Sequence, residues 1–198
     1  MHIAINALCI TNRSGTGRYA WGLIHGLLHH SMPRHVFSIA IPSDFPIPPL
    51  WRNNDNVRFY SIGACSAPAR IVWEQWRLPN WLRKIKADVL HSPAFISPVF
   101  GKANCAHVVV IHDLAFLRHP ETIPPLRRFY YRAMIPRSWR AADAVITDSE
   151  AVSSELAALP QTPGKIVTVH LGVDSRQFSP EANEDDAAVL REYGLESP

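Results

Sequence analysis

The chain has 198 residues, of which 47% are hydrophobic and 19% charged, and a formal net charge of +3. This suits one large domain with a substantial core and excludes whole-chain disorder. So small a charge does not call for nucleic acid as a partner. No apolar run approaches the roughly 20 residues needed to cross a bilayer, and the start "MHIAINALCI" lacks the basic segment and small-residue cleavage site of a signal peptide.

In chain order, residues 2–9 (HIAINALC) read as a strand. The bend Gly15-Thr16-Gly17 follows, then a helix whose stripe over 17–30 is Ala20, Leu23, Ile24, Leu27 and Leu28. Residues 36–41 (VFSIAI) and 57–62 (VRFYSI) are strands, and the proline-rich, polar stretch 42–56 between them reads as loop. A helical pattern over 69–86 contains Pro79, which must interrupt or bend it. Strands follow at 88–91 (DVLH) and 107–112 (HVVVIH), then a basic and aromatic segment at 124–141. Residues 144–147 (AVIT) form a strand, Ser149 is an N-cap for the helix in "EAVSSELAAL", and a last strand covers 165–170 (KIVTVH). The tail turns polar and acidic ("SPEANEDD") before a short helix with Gly194 near its end, which reads as a connector.

Strands alternating with helices predict an α/β fold with a parallel sheet covered on both faces. "VVVI", apolar on both pleat faces, belongs at its centre. Ligands of such sheets bind outside the carboxyl ends of the strands, and several strands here end in ionisable groups: His91, His112-Asp113, Asp148-Ser149 and His170. Each has a plain structural reading too. Asp148 and Ser149 would cap a helix, and His91 and His170 would be satisfied loop residues. Their shared edge favours a cleft, with His112-Asp113 its strongest member.

The glycine bend reaches the same edge. Free backbone N–H groups at a helix start accommodate phosphate, and glycine lets a ligand approach the backbone. The pattern is neither GxGxxG nor a P-loop, and the second strand does not end in the acidic residue that would hold a ribose, so a nicotinamide-binding enzyme is unsupported. The ten histidines form no HExxH, there is no CxxC, and no Asp-x-Asp follows a strand. Cys9, Cys65 and Cys105, odd in number and far apart, read as reduced thiols of an intracellular protein.

The stretches "SGTGRYAWGL", "VWEQWRLP", "ADVLHSPAFISP", "VVVIHDLAFLRHPE", "AADAVITDSEAVSSEL" and "KIVTVHLGVD" resemble, in order and over essentially the whole chain, the N-terminal domain of a GT-B fold glycosyltransferase of family GT4 (glycosyl transferases group 1). The nearest flavour is that of bacterial mannosyltransferases of surface polysaccharide assembly. The resemblance implies a Rossmann-like, three-layer domain over 1–175, the acceptor-side half of the fold. Residues 176–198 would connect it to a C-terminal nucleotide-sugar-binding domain, without which the fragment would not catalyse. It implies a retaining transfer of a sugar, mannose being one candidate, from a nucleotide-sugar to a glycan or lipid-linked acceptor, with no cofactor and no bound metal.

His112 would be the catalytic residue, matching the family's "HD" histidine beside the transferred sugar. Gly15, Thr16, Gly17 and Arg18 would face the donor diphosphate and acceptor. Tyr19, His91, Asp113, Asp148 and Ser149 would line the same cleft. Glu184 and Glu192 have the spacing of the family's glutamate pair but lack its flanking sequence, so the match is a coincidence. The protein would be cytoplasmic. The basic and aromatic segment 124–140 suits peripheral contact with an anionic membrane at the inner face of the plasma membrane, or else is an ordinary helix that packs its aromatics inward and solvates its arginines. Glu74 would either contact the acceptor or pair with Arg70 or Arg77 on its own helix, and the salt-bridged surface reading is the favoured one. Two alternatives stay open: a non-catalytic nucleotide- or sugar-binding module, and a nicotinamide-dependent oxidoreductase.

Overall fold

In the computed structural model, the residues described are 1–12, 14–30, 34–63, 66–101, 103–160, 164–174, 178 and 186–195. Every apolar run becomes a parallel strand: β1 (His2–Asn6), β2 (Val36–Pro42), β3 (Val57–Ile62), β4 (Val89–Ser92), β5 (Ala106–Ile111), β6 (Ala144–Thr147) and β7 (Ile166–Thr168). They form one seven-stranded sheet in the order β3-β2-β1-β4-β5-β6-β7. This is the Rossmann-like α/β architecture, and its order reverses between β1 and β4. Val109, Val110 and Ile111 of β5 are fully buried, as a central strand covered on both faces requires. β1 and β7 are shorter than their apolar runs: after a last bond from Ala7 N to Ala40 O the chain enters a buried turn at 8–10, and β7 ends after a last bond from Val169 N to Thr147 O.

The strand period of two sends neighbouring residues to opposite faces. From β1, Ile5 joins Ile39 and Ile41 of β2 against α1 (Gly15–His29) and Trp51. Ala4 instead joins Ala40, Leu90, Leu78 and Leu82. A third cluster unites Val109, Ile111 and Val145 with Ile135, Trp139 and Leu156. Each fully buried aliphatic side chain contributes on the order of 1.5–3 kcal/mol. Trp51 lies on a one-turn helix, α2 (Pro49–Arg52), inside the stretch expected to be loop. The prolines that suggested a loop occupy its N-cap and first position, where no N–H is needed.

Pro79 does not end its helix. An α-helical Pro79 would lack an N–H, and its ring would meet the Gln75 carbonyl four residues back. The chain instead runs from α3 (Ala67–Val72) through a π turn (Trp73–Arg77) into α4 (Leu78–Ile85), with Leu78 N–H donating to Trp73 O five residues back. The extra residue leaves Trp73, Glu74 and Gln75 all buried. Trp73 enters the core beside Leu78. Gln75 Nε2 donates to Ser97 O (3.4 Å), and its Oε1 accepts from Val99 N (2.8 Å).

After β5 come α5 (Ala115–Arg118), a 3-10 turn (Pro120–Thr122) and α6 (Pro125–Ala141). Beyond β6, Ser149 caps α7 (Glu150–Ala157) as expected, its hydroxyl accepting from Val152 N at 3.3 Å. The short tail helix is α8 (Asp186–Glu192), followed by Gly194 at φ +63°. Cys65 and Glu184 lie outside the described residues.

Candidate functional site

A cavity of about 700 Å³ opens at the carboxyl ends of the strands, lined on the sheet side by residues that follow β1, β4, β5, β6 and β7. β1 hands over to Cys9, Asn12 and the start of α1; β4 to Ala94 and Phe95; β5 to His112 and Asp113; β6 to Asp148; β7 to Leu171. The remaining wall is Arg70 and Glu74 from α3 and the π turn, with Arg127, Tyr130 and Tyr131 of α6.

His112 stands where β5 ends, and both ring nitrogens are engaged. Nε2–H donates to the Pro93 carbonyl (2.8 Å), which can only accept, and Nδ1 shares a proton with Asp148 Oδ2 at 2.6 Å. Tyr19 and Phe95 approach the imidazole edge-on, with ring centroids 4.8 and 5.4 Å away. The ring orientation is therefore set from four sides. Asp148 Oδ1 is buried and has no hydrogen-bond partner. Burial first, and then the Asp148 charge, push the Tyr19 hydroxyl up to about 12, so it stays a donor. Asp113 Oδ1 accepts from Ala115 N (2.9 Å) and so caps α5 while lining the cavity.

The two glycines of the bend have different reasons to exist. A Cβ on Gly15 would meet nothing within 4 Å, and Gly15 lines the cavity with Ser14 and Thr16. A Cβ on Gly17 would overlap the Asn12 carbonyl and lie 3.1 Å from Cys9 O. Close approach is thus seen at Gly17, where the approaching group is the chain's own turn after β1, while Gly15 faces the open cavity. Gly15, Thr16, Tyr19, His112, Asp113 and Asp148 gather at one cavity; Arg18 is exposed and does not line it, and neither do His91 or Ser149. His91, on β4 between β1 and β5, is driven down to about 4 by burial, and its Nε2 has no partner.

Glu74 keeps its expected pairing with Arg70 but not its expected place. It is buried, not at the surface. Asn6 Nδ2 donates to its Oε1 at 3.1 Å, and Arg70 Nε lies 3.9 Å from the same oxygen. Burial raises its pKa above the usual glutamate range, opposed by Arg70 and the Asn6 hydrogen bond. Burial also lifts the Cys9 thiol to about 12, with the Glu74 charge adding to it. No sequence signal short of the Pro79-induced π turn marks Glu74 as an inward residue. Among the described residues, no three His, Cys, Asp or Glu side chains are grouped to hold a metal ion.

A parallel sheet with an imidazole, carboxyls and a glycine bend around a cavity at its topological switch point defines a Rossmann-like domain, an architecture whose ligands generally bind at the strand ends. The family model for Glycosyltransferase Family 4 matches residues 13–177, and the chain belongs to that family.

Solved structures share the fold at low identity. A glycosyltransferase from Rickettsia africae ESF-5 superimposes with a TM-score of 0.51 at 16% identity over 99% of this chain and 50% of its own. A sucrose-phosphate synthase from Thermosynechococcus elongatus gives 0.54 at 12% over 98% and 100%. The lipopolysaccharide outer core galactosyltransferase WaaB gives 0.52 at 12% over 88% and 46%. The chain thus spans about half the length of the Rickettsia protein and of WaaB. Among proteins with curated functions, none matches the sequence.

Proposed function

We propose that this domain is the acceptor-side wall of the cleft of a retaining sugar transferase, which moves a hexose such as mannose from a nucleotide-sugar to a glycan or lipid-linked glycan in surface polysaccharide synthesis. A second lobe, reached through residues 176–198, supplies most of the nucleotide-binding surface. The observation that carries this reading is the convergence of Gly15, Thr16, Tyr19, His112, Asp113 and Asp148 on one cavity. His112, held by Asp148 and Pro93 O, lies beside the transferred sugar. The amides at the start of α1 meet the donor diphosphate, and no metal is needed. The departing diphosphate helps deprotonate the acceptor hydroxyl.

The test is a panel of sugar-nucleotides offered with glycan acceptors to the full-length protein, its His112→Ala variant and the isolated 198-residue chain. Turnover by the full-length protein alone is the expected result. Robust turnover by the isolated chain overturns the division of labour, and turnover unchanged in His112→Ala removes that residue from the site.

A second reading concerns where the enzyme works. α6 leaves Leu126 84% and Phe129 75% exposed, beside exposed Arg127 and Arg132. Apolar tips among arginines suit an anionic bilayer surface, which supports a peripheral contact at the inner face of the membrane, near lipid-linked acceptors. No described helix is long and apolar enough to cross a membrane, so the contact would be peripheral. Sedimentation with vesicles containing or lacking anionic lipid tests it. Binding that ignores both lipid charge and the Phe129→Ser/Arg132→Ala change ends it.

A further inference from the structure

The cavity has a second polar wall that the His112 chemistry does not use. Glu74 lines it with 11% of its side chain exposed. Its carboxyl has one hydrogen bond, from Asn6. Around it stand buried polar atoms without hydrogen-bond partners: Arg70 Nε, Tyr130 Oη and Asn6 Oδ1. These supply a donor, a group that both donates and accepts, and an acceptor. Buried polar atoms are ordinarily satisfied, and Arg70 Nε and Tyr130 Oη, left open on residues that line one cavity, call for an explanation.

Glu74, Arg70, Cys9 and Tyr130 also sense one another electrostatically: the Glu74 charge raises both the Cys9 thiol and the Tyr130 hydroxyl, and Arg70 lowers both. A free anion does not suit this wall, since a carboxyl stands at its centre. A metal ion does not suit it either, because a guanidinium lies 3.9 Å from that carboxyl. A neutral polyol does suit it, since each of its hydroxyls both donates and accepts.

The wall is also built to stay in place. Asn6 ends β1, one residue after Ile5, and its side chain faces the α4 side of the sheet with Ala4. Glu74 reaches it from the π turn, a geometry that recurs at functional sites. β1 and β5 are separated only by β4, so Asn6 and His112 belong to strands about 10 Å apart at the usual strand spacing. That is the span of roughly one to two sugar rings.

We propose that Glu74, positioned by Asn6 and flanked by Arg70 and Tyr130, is a recognition site for the hydroxyls of a neutral hexose ring, and that it selects the sugar of the acceptor that enters the cleft beside His112. This rests on the transferase reading for the word acceptor, while the hexose site itself does not.

The probe is a set of neutral methyl hexopyranosides (gluco, galacto and manno, both anomers) titrated into the full chain and followed by saturation-transfer NMR. At least one glycoside should bind. Glu74→Ala should weaken it about 2- to 10-fold, the weight of a hydrogen bond between neutral groups. Glu74→Gln and Tyr130→Phe should change the preference among epimers. Glu74→Gln keeps the shape and a carbonyl for Asn6, so it carries the test if Glu74→Ala fails to fold, with near-UV circular dichroism as the check.

No binding to the wild-type chain, or equal binding by all Glu74 variants, overturns the proposal. The two readings fail separately. Glu74-dependent glycoside binding without sugar transfer sinks the transferase alone. His112-dependent transfer whose acceptor KM and epimer preference ignore Glu74→Gln sinks this site alone.

Discussion

The two polar walls of the cavity are made in opposite ways. His112 and Asp148 stand where buried strands run out, so their place follows from hydrophobic patterning that is local in sequence. Glu74 sits inside a helical run, flanked by charged Arg70 and Arg77, and reaches the cavity because a π turn ahead of Pro79 carries it inward to Asn6, a partner 68 residues away. A strand end presents its polar residue by construction. A helix presents one only when its phase is set, and here proline chemistry and tertiary contacts set the phase.

The sharpest way to separate the walls is His112→Ala. Turnover of the full-length protein should fall about 100-fold or more, the usual range for a positioned polar group at a reacting centre. Denaturant midpoints should show a loss of about 1–3 kcal/mol for leaving both Asp148 carboxyl oxygens without a partner. If turnover and acceptor KM moved together in both His112→Ala and Glu74→Gln, the two walls would be one unit.

Next in size is the bend on which both walls depend. Gly17→Ala should destabilise the chain by about 1–3 kcal/mol, since its Cβ meets backbone that cannot swing away. Gly15→Ala, facing open space, should change urea stability by no more than roughly 1 kcal/mol, and in the stabilising direction. Equal losses in both would mean that the bend is a single rigid unit.

Smaller effects come from pH. Burial favours the neutral Glu74 carboxyl in the folded chain, so the native state holds that proton where the unfolded chain has released it. Wild-type stability should then decline as pH rises from the ordinary glutamate range through the raised folded value. Glu74→Gln removes this decline, so its stability relative to wild type should climb with pH across that window in urea titrations. A difference that fell with pH would show that Arg70 outweighs burial.

His91 gives the opposite sign. Its folded pKa is lowered from 6.5 to about 4, so its contribution is full above about 6.5 and is lost as pH falls toward 4. His91→Gln should flatten that limb without touching turnover, because His91 does not line the cavity.

Patterning by itself determined the parallel α/β layout, the central position of β5, the Ser149 cap and the gathering of Gly15, His112, Asp113 and Asp148 at one edge. All of these follow from where apolar runs begin and stop. Tertiary structure alone decided that Gly17 makes room for the Asn12 carbonyl, that Trp51 anchors a helix within a proline-rich stretch, and that both imidazole nitrogens of His112 are engaged. It also decided that Glu74 faces Asn6. Each of these depends on a neighbour contributed by another turn or element of the chain, and a run of residues read in order carries no record of which distant backbone or side chain will fill the space beside it.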